Sequence, residues 1–328
     1  DNIENRMDGA CARYLNYKKR MSVMPKALFL NGDTSRNIRN GDSLYSERSK
    51  KISRAIFGEG PKDKDELGLG VYNQYGKGKE GFNISSIQFA IHYMFKNSET
   101  FHNFMRNVSE CTKLDGYFIG TCYDGMKIFK MLKDKKQDES ISIKEDNDVM
   151  WQITKKYDND RFNDANETSF GYAIDVFQES INKTFREYLV NFDYFKQVVE
   201  NYGFVLLTKM EEKELGMSSI NSFESMFNLM KKESTKEKQF GEALNMSINE
   251  KKISYLNNYF IFKKVRTVNA NKVAFDLINS SNMIEDEEED IQEQSEKNVA
   301  NTIKEEKKEK PKIIKKKKRL LLEKDSDK

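Results

Sequence analysis

The sequence predicts an α/β fold, and three observations carry that prediction. Phe82 to Phe89 reads as a strand, its apolar residues Phe82, Ile84, Ile87 and Phe89 set off by Gly81 and by the polar stretch before it. Lys96 to Thr112 reads as a helix, because Phe101, Phe104, Met105 and Val108 recur at helical spacing. Asp115-Gly116 then turns the chain into Tyr117 to Thr121, a second strand. Strand, helix and strand at this spacing make a crossover, and a crossover joins parallel strands. Helices then lie on the faces of the sheet, and ligands are expected beyond the carboxyl ends of the strands.

The remaining elements follow in order. Ile3 to Arg20 reads as a helix through Ile3, Met7, Ala10, Tyr14 and Tyr17. Ala27 to Leu30 is a short strand candidate, with Asp33 at the turn after Gly32. Arg36 to Gly81, rich in Gly, Lys and Asp, reads as an irregular insertion or a functional loop, because structureless connections are rarely so long. Met126 to Leu132 is helical and Lys133 to Asp148 a polar loop. Trp151 to Ile153 and Tyr172 to Phe177 are strands, Glu187 to Tyr202 is helical, and Phe204 to Leu207 is a strand. Met226 to Lys231 lies in a helix, and Tyr255 to Val265 closes the domain as an aromatic-rich strand.

The apolar fraction of 37% is low for a wholly folded chain of 328 residues, and the net charge of +3 hides two blocks. Glu285 to Asp290 is acidic, and Lys304 to Arg319 is basic. Such blocks bury too little surface to offset the entropy of ordering, so a folded domain at 1–278 and a disordered tail at 279–328 are expected. The basic block suits RNA phosphates, a localisation signal or simple solvation. Cys11, Cys111 and Cys122 are too few and scattered for a disulfide framework or a metal site, which points to a reducing compartment. No stretch has the roughly 18 apolar residues of a membrane span.

Several segments, in order, resemble the mRNA cap guanine-N7 methyltransferase family, a branch of the class I methyltransferases that use S-adenosylmethionine (SAM). Asn83 to Phe95, with its apolar run, Gln88-Phe89 and His92-Tyr93, is similar to the family's fourth-strand signature. Gly116 to Thr121 resembles its fifth strand, and Glu187 to Phe192 its segment with the guanine-binding glutamate. Arg13-Tyr14, Asp33 and Phe262-Lys263-Lys264 are smaller matches. The polar insertions and the Cys122-Tyr123-Asp124-Gly125 ending look most like the capping enzymes of giant viruses.

The resemblance implies a Rossmann-like sheet and transfer of a methyl group from SAM to N7 of the 5′ guanosine cap of viral mRNA. It implies cap contacts at His92, Tyr93, Glu187 and Arg13, and cofactor contacts at Asp33, Gln88 and Phe89. The parent protein would carry triphosphatase and guanylyltransferase domains upstream, and would work in the host cytoplasm or the virion. The family's first strand and glycine-rich turn find no match here. Leu67-Gly68-Leu69-Gly70 follows polar Lys62 to Glu66 instead of a strand. Family order places both elements upstream of Asp1, so this chain alone is expected to bind SAM poorly and to be inactive.

The chemistry of these residue types agrees with the resemblance. A carboxylate at Glu187 can accept from guanine N1–H and the N2 amino group together, and an imidazole at His92 can donate to O6. N7 bears a lone pair and no proton, so the reaction needs positioning and electrostatics instead of a general base. Each residue also has a plainer reading: Glu187 as a first-turn helix glutamate, His92 as a core histidine, Phe89 as core, Asp33 as a capping aspartate and Arg13 as a helix-surface cation. Asn257 falls where the family often has an aromatic that stacks on guanine, with Tyr255 and Tyr259 as replacements, and Tyr123 falls where it often has proline. The rival functions are a methyltransferase for another RNA or small substrate and a non-catalytic RNA-binding or stimulatory module.

Overall fold

The computed structural model describes residues 3, 5, 7, 9–162, 166–233 and 239–281. It is an α/β structure built on two sheets. Helix α1 (Ala10–Arg20) buries none of its residues, and Tyr14 at its centre packs edge-on against Phe29 and donates to the Pro25 carbonyl. Ala27 to Leu30 is not a strand: among the described residues no strand pairs with it, and the isolated bridge that follows joins Gly32 to Leu44. An extended segment becomes a strand only when a neighbour takes its backbone hydrogen bonds.

The supposedly irregular 36–81 contains two helices, α2 (Glu47–Ile56) and α3 (Lys64–Tyr72). Their caps carry the explanation. Ser46 accepts from the Ser49 amide, and Asp63 from those of Asp65 and Glu66. A polar exposed face hid the apolar period, and Gly68 at φ 71° kinks α3, so neither helix stood out.

The crossover is as expected: β1 (Phe82–Gln88), a 3-10 stretch (Ile91–Lys96), α4 (Ser98–Cys111) and β2 (Thr112–Tyr123), with β1 and β2 parallel. Asp115 at φ 60° marks a bulge inside β2, where a turn before the strand was expected. Helix α5 (Gly125–Met131) follows, capped by Asp124. The polar loop expected at 133–148 instead contributes β3 (Ser140–Glu145), which pairs with β4 (Asp148–Lys155). Ile141 and Ile143 pack under this hairpin among otherwise polar neighbours, too few to mark a strand in the sequence.

β5 (Ala173–Gln178) and β6 (Lys183–Tyr188) complete an antiparallel sheet in the order β3, β4, β5, β6. Glu187 therefore lies on a strand, opposite Ile174, and not in the first turn of a helix. The helix α6 (Phe192–Asn201) starts only after Asn191, whose side chain accepts from Asp193 and Tyr194. Asn is a strong helix start, which is why the boundary falls there.

The main sheet continues with β7 (Phe204–Leu206), α7 (Lys209–Leu215), β8 (Ile220–Ser222), α8 (Phe223–Lys232), α9 (Ile248–Ser254) and β9 (Asn257–Lys264). Its order is β1, β2, β9, β7, with β9 antiparallel to both neighbours and β8 also on β9. Phe118, Phe195, Phe260 and Phe262 are fully buried between sheet, α4 and α6, with ring centroids as close as 5.1 Å. Such aromatic pairs each add about 0.5–1.5 kcal/mol beyond the area they bury. Gly120 makes room for this cluster: a Cβ there would lie 2.4 Å from Phe260 Cζ and from the Ile87 carbonyl.

A further helix begins at 270, with Ala270 and Ala274 in the same core. The chain divides into Asp1–Asn279 and Ser280–Lys328. The tail expected at 279–328 lies outside the described residues from 282 onward. No helix among the described residues is long and apolar enough to cross a membrane.

Candidate cap-binding site

Four chain ends converge at the carboxyl end of the parallel pair. β1 leads into the 3-10 stretch that carries His92 and Tyr93. β2 ends at Tyr123, and the next residues are tied to two other elements: the Asp124 amide donates to the Leu256 carbonyl and the Gly125 amide to the Val190 carbonyl. A Cβ on Gly125 would sit 2.4 Å from that Val190 oxygen, so only glycine lets the chain leaving β6 come this close. Glu187 on β6 is thereby brought beside the exit of β1.

His92 Nε2 and Glu187 Oε1 are 3.7 Å apart, and their side chains are only 7% and 12% exposed. That separation is too long for a hydrogen bond. Among the described residues neither nitrogen of His92 has a hydrogen-bond partner, nor does Glu187 Oε2. Burial pushes the Glu187 carboxyl up to about 7 and holds the imidazole down at about 4. Near neutral pH the histidine is uncharged, with one N–H to donate. Buried polar atoms without partners are costly, and most are paired. Here two groups wait side by side, an N–H donor beside a carboxylate acceptor.

Tyr93 stands edge-on to the imidazole at 4.2 Å and is 39% exposed. Its phenol is raised by burial and by the charge of Glu187. Tyr123 was visible in the sequence only as a departure from proline. Its hydroxyl accepts from Trp151 Nε1 at 3.0 Å and Gln178 Nε2 at 3.3 Å, so it ties the end of β2 to the second sheet. That link fixes the sheet carrying Glu187 against the sheet leading to His92.

The residues expected to meet the cofactor sit around the same end. Asp33 Oδ1 accepts from the Ser35 amide and hydroxyl, while Asn107 on α4 holds the loop by donating to the Thr34 and Arg36 carbonyls. Thr34 also reaches the Met94 sulfur at 4.0 Å, which places Asp33 beside the 3-10 stretch. Gln88 is a brace: its amide donates to Ser86 and accepts from Thr121. Phe89 is 54% exposed at φ 50°, with its amide on both the Thr121 carbonyl and hydroxyl. An acidic residue whose Oδ2 makes none of these bonds and an open aromatic face fit the adenosyl part of SAM.

Arg13 is exposed on α1, and no contact among the described residues joins it to His92 or Glu187. Asn257 is 6% exposed and caps α9 by donating to the Ile253 and Ser254 carbonyls, so it cannot stack on a base. Tyr255 ends α9 with its ring near Phe227, and Tyr259 is buried, lining a cleft of about 520 Å³ between α7 and α8. No contact among the described residues joins either ring to His92 or Glu187. Phe89 instead meets Phe223, the first residue of α8, with centroids 6.0 Å apart and planes at 76°.

Comparison with known proteins gives the family. The family model for the mRNA (guanine-N(7))-methyltransferase domain matches residues 7–265. The chain is 25% identical over 289 residues to the probable mRNA-capping enzyme of Acanthamoeba polyphaga mimivirus, a match covering 80% of this chain and 23% of that protein. It is 25% identical over 240 residues to the mRNA cap guanine-N(7) methyltransferase of Candida glabrata, covering 70% and 54%. For the enzyme of the same name from Saccharomyces cerevisiae the figures are 25% over 185 residues, 56% and 42%. The chain thus spans between about a quarter and about half of the length of these relatives.

Proposed function

Because the chain belongs to the mRNA (guanine-N(7))-methyltransferase domain family, we propose that it holds the 5′ guanosine cap of mRNA on Glu187 and His92 for methylation at N7. The observation that carries this reading is the buried, unpartnered pair. Guanine presents two donors, N1–H and the N2 amino group, next to one acceptor, O6. A carboxylate beside a neutral imidazole N–H is the complement of that edge. Adenine, with a donor where guanine has O6, would leave both protein groups unsatisfied.

Bound SAM supplies the electrophilic methyl group. The protein's own residues do the rest by position. Glu187 and His92 fix the purine plane, so that the N7 lone pair would meet the methyl group as its bond to sulfur breaks and the neutral thioether leaves with that electron pair, with no base needed. Positive charge grows on the purine during transfer, and the Glu187 carboxylate lies on the same ring system in a dry site, where its field is strong. Asp33 and Phe89 are the groups on this chain that meet the adenosyl moiety, and Arg13 the one that meets the cap triphosphate. The likeness to the mimivirus protein, a probable mRNA-capping enzyme, supports a giant-virus capping parent; triphosphatase and guanylyltransferase domains beside this one, and work in the host cytoplasm or the virion, belong to the same proposal.

Calorimetric titration of the chain with GpppG and with ApppA tests the reading. GpppG should bind and ApppA should not. Equal binding of both dinucleotides overturns it.

A further inference from the structure

We propose that Phe223 is the aromatic platform on which the recognised guanine stacks, with Phe89 as the buttress that holds the ring in place. The assignment rests on Glu187 and His92 being the guanine pocket. A base gripped by one edge has two faces still to cover, and the position expected to supply a ring holds Asn257, turned toward α9.

Phe223 lies one strand further along. Ser222, the last residue of β8, pairs with Asn258 on β9, so Phe223 leaves the sheet beside Asn257. β1, which ends just before Phe89, is separated from β8 by β2 and β9. Three strand spacings are about 14 Å. Yet the Phe89 and Phe223 rings are 6.0 Å apart. Both must therefore lean inward over the ends of β2 and β9, where the chain bearing Glu187 meets Gly125. The rings form an arch over that mouth.

Two features show that the arch is held in shape. Phe89 takes a left-handed backbone, φ 50°, that a bulky residue rarely adopts, and two hydrogen bonds from its amide to Thr121 fix it there. Its ring is 54% exposed, so burial is not what holds it. The contact with Phe223 is edge to face at 76°, which leaves a ring face open to a planar ligand. On this assignment a base gripped by Glu187 lies against the open face of Phe223.

The test uses the full chain and GpppG, with calorimetry for affinity and thermal melts for folding. Phe223→Ala and Phe223→Leu should each weaken binding on the order of tenfold or more, the range seen when a base loses its aromatic partner. Phe223→Trp should restore affinity, and its new indole emission should be quenched by GpppG, whereas Trp151 is buried and common to every variant. Leucine separates stacking from plain apolar packing: wild-type affinity in Phe223→Leu overturns the proposal. So does a loss that appears in Tyr93→Ala but in no Phe223 variant. Should Phe223→Ala fail to fold, the Leu and Trp variants decide alone. Loss of binding in Glu187→Gln with every Phe223 variant unaffected keeps the guanine pocket and removes Phe223. No GpppG binding by the parent chain overturns the pocket and this assignment together.

Discussion

The chain's two histidines occupy two regions that burial alone would not tell apart. His92, at the mouth, and His102, inside the α4 core, are both buried, and burial holds both near a pKa of 4. Their hydrogen bonds differ. His102 Nδ1 lies 3.1 Å from the Tyr202 hydroxyl, which donates in turn to the His102 carbonyl, and the two rings stack. His92 has no partner on either nitrogen and a carboxylate 3.7 Å away. Among the described residues His102 leaves only Nε2 without a partner, whereas His92 leaves both nitrogens unpaired beside a carboxyl oxygen, Glu187 Oε2, that is itself without one. The hydrogen-bond account, and not depth, separates the two regions.

The largest effect should come from breaking the core. Phe195→Ala removes a ring that contacts Phe118, Phe260 and Phe262, and should cost about 3–5 kcal/mol of stability in urea denaturation. Affinity of the folded fraction for GpppG should stay as it was; an equal loss of both would mean that core and mouth are one unit.

Glu187→Gln should reverse that pattern. The change removes a charge and sets an amide N–H2 against guanine donors, so GpppG affinity should fall by about 1.5–3 kcal/mol, or ten- to a hundredfold. Stability at neutral pH should not drop, because a strained buried carboxyl is lost. A variant that binds GpppG normally would return Glu187 to the ordinary core.

Titration sharpens the contrast further. With its carboxyl raised from 4.5 to about 7, Glu187 is protonated in the native state and ionised in the unfolded state between those values. The native state then binds the extra proton, so this group lowers stability as pH rises from about 4.5 to 7. His92 and His102, lowered from 6.5 to about 4, do the opposite: they are neutral when folded and charged when unfolded, so each raises stability as pH rises from about 4 to 6.5. In their shared window Glu187 offsets one histidine. Glu187→Gln should therefore steepen the stability curve there by one proton, about 1.4 kcal/mol per pH unit. In the parent chain, GpppG binding should weaken as pH falls below about 7, because guanine needs the carboxylate form. A flat binding profile from pH 5.5 to 8 would contradict the raised carboxyl.

The smallest effect tests the His102 side. Tyr202→Phe deletes one buried hydroxyl and its bonds to His102, which should cost about 1 kcal/mol and leave GpppG binding unchanged.

Much of this was legible in the sequence, and the misses have causes. The crossover from β1 through α4 to β2 was readable because α4 keeps a clean helical period between two short segments with apolar residues, even though β1 is a largely exposed edge strand. His92 and Glu187 were readable only through their family context, since neither residue type marks a site by itself. The strand β6 went unread, its last residues Glu187 and Tyr188 being taken into the following helix, because Lys183 to Arg186 are exposed and lack the alternation that marks a half-buried strand. α2 and α3 were missed because their start signals, Ser46 and Asp63, stand among many other polar residues. Phe223 resembled any first-turn aromatic of an amphipathic helix, and only its meeting with Phe89 across the sheet sets it apart.

Gly120 and Phe260 face each other on neighbouring strands, and the ring of one fills the space where the other would carry a side chain. In the descent of this chain the two positions therefore behave as a single inherited character. A larger residue at 120 needs both a smaller side chain at 260 and a shift of β1, whose Ile87 carbonyl is as close as the ring, while a smaller residue at 260 needs no prior permission from 120. Substitutions at the pair have a required order, and a lineage that fills position 120 has closed the way back to phenylalanine.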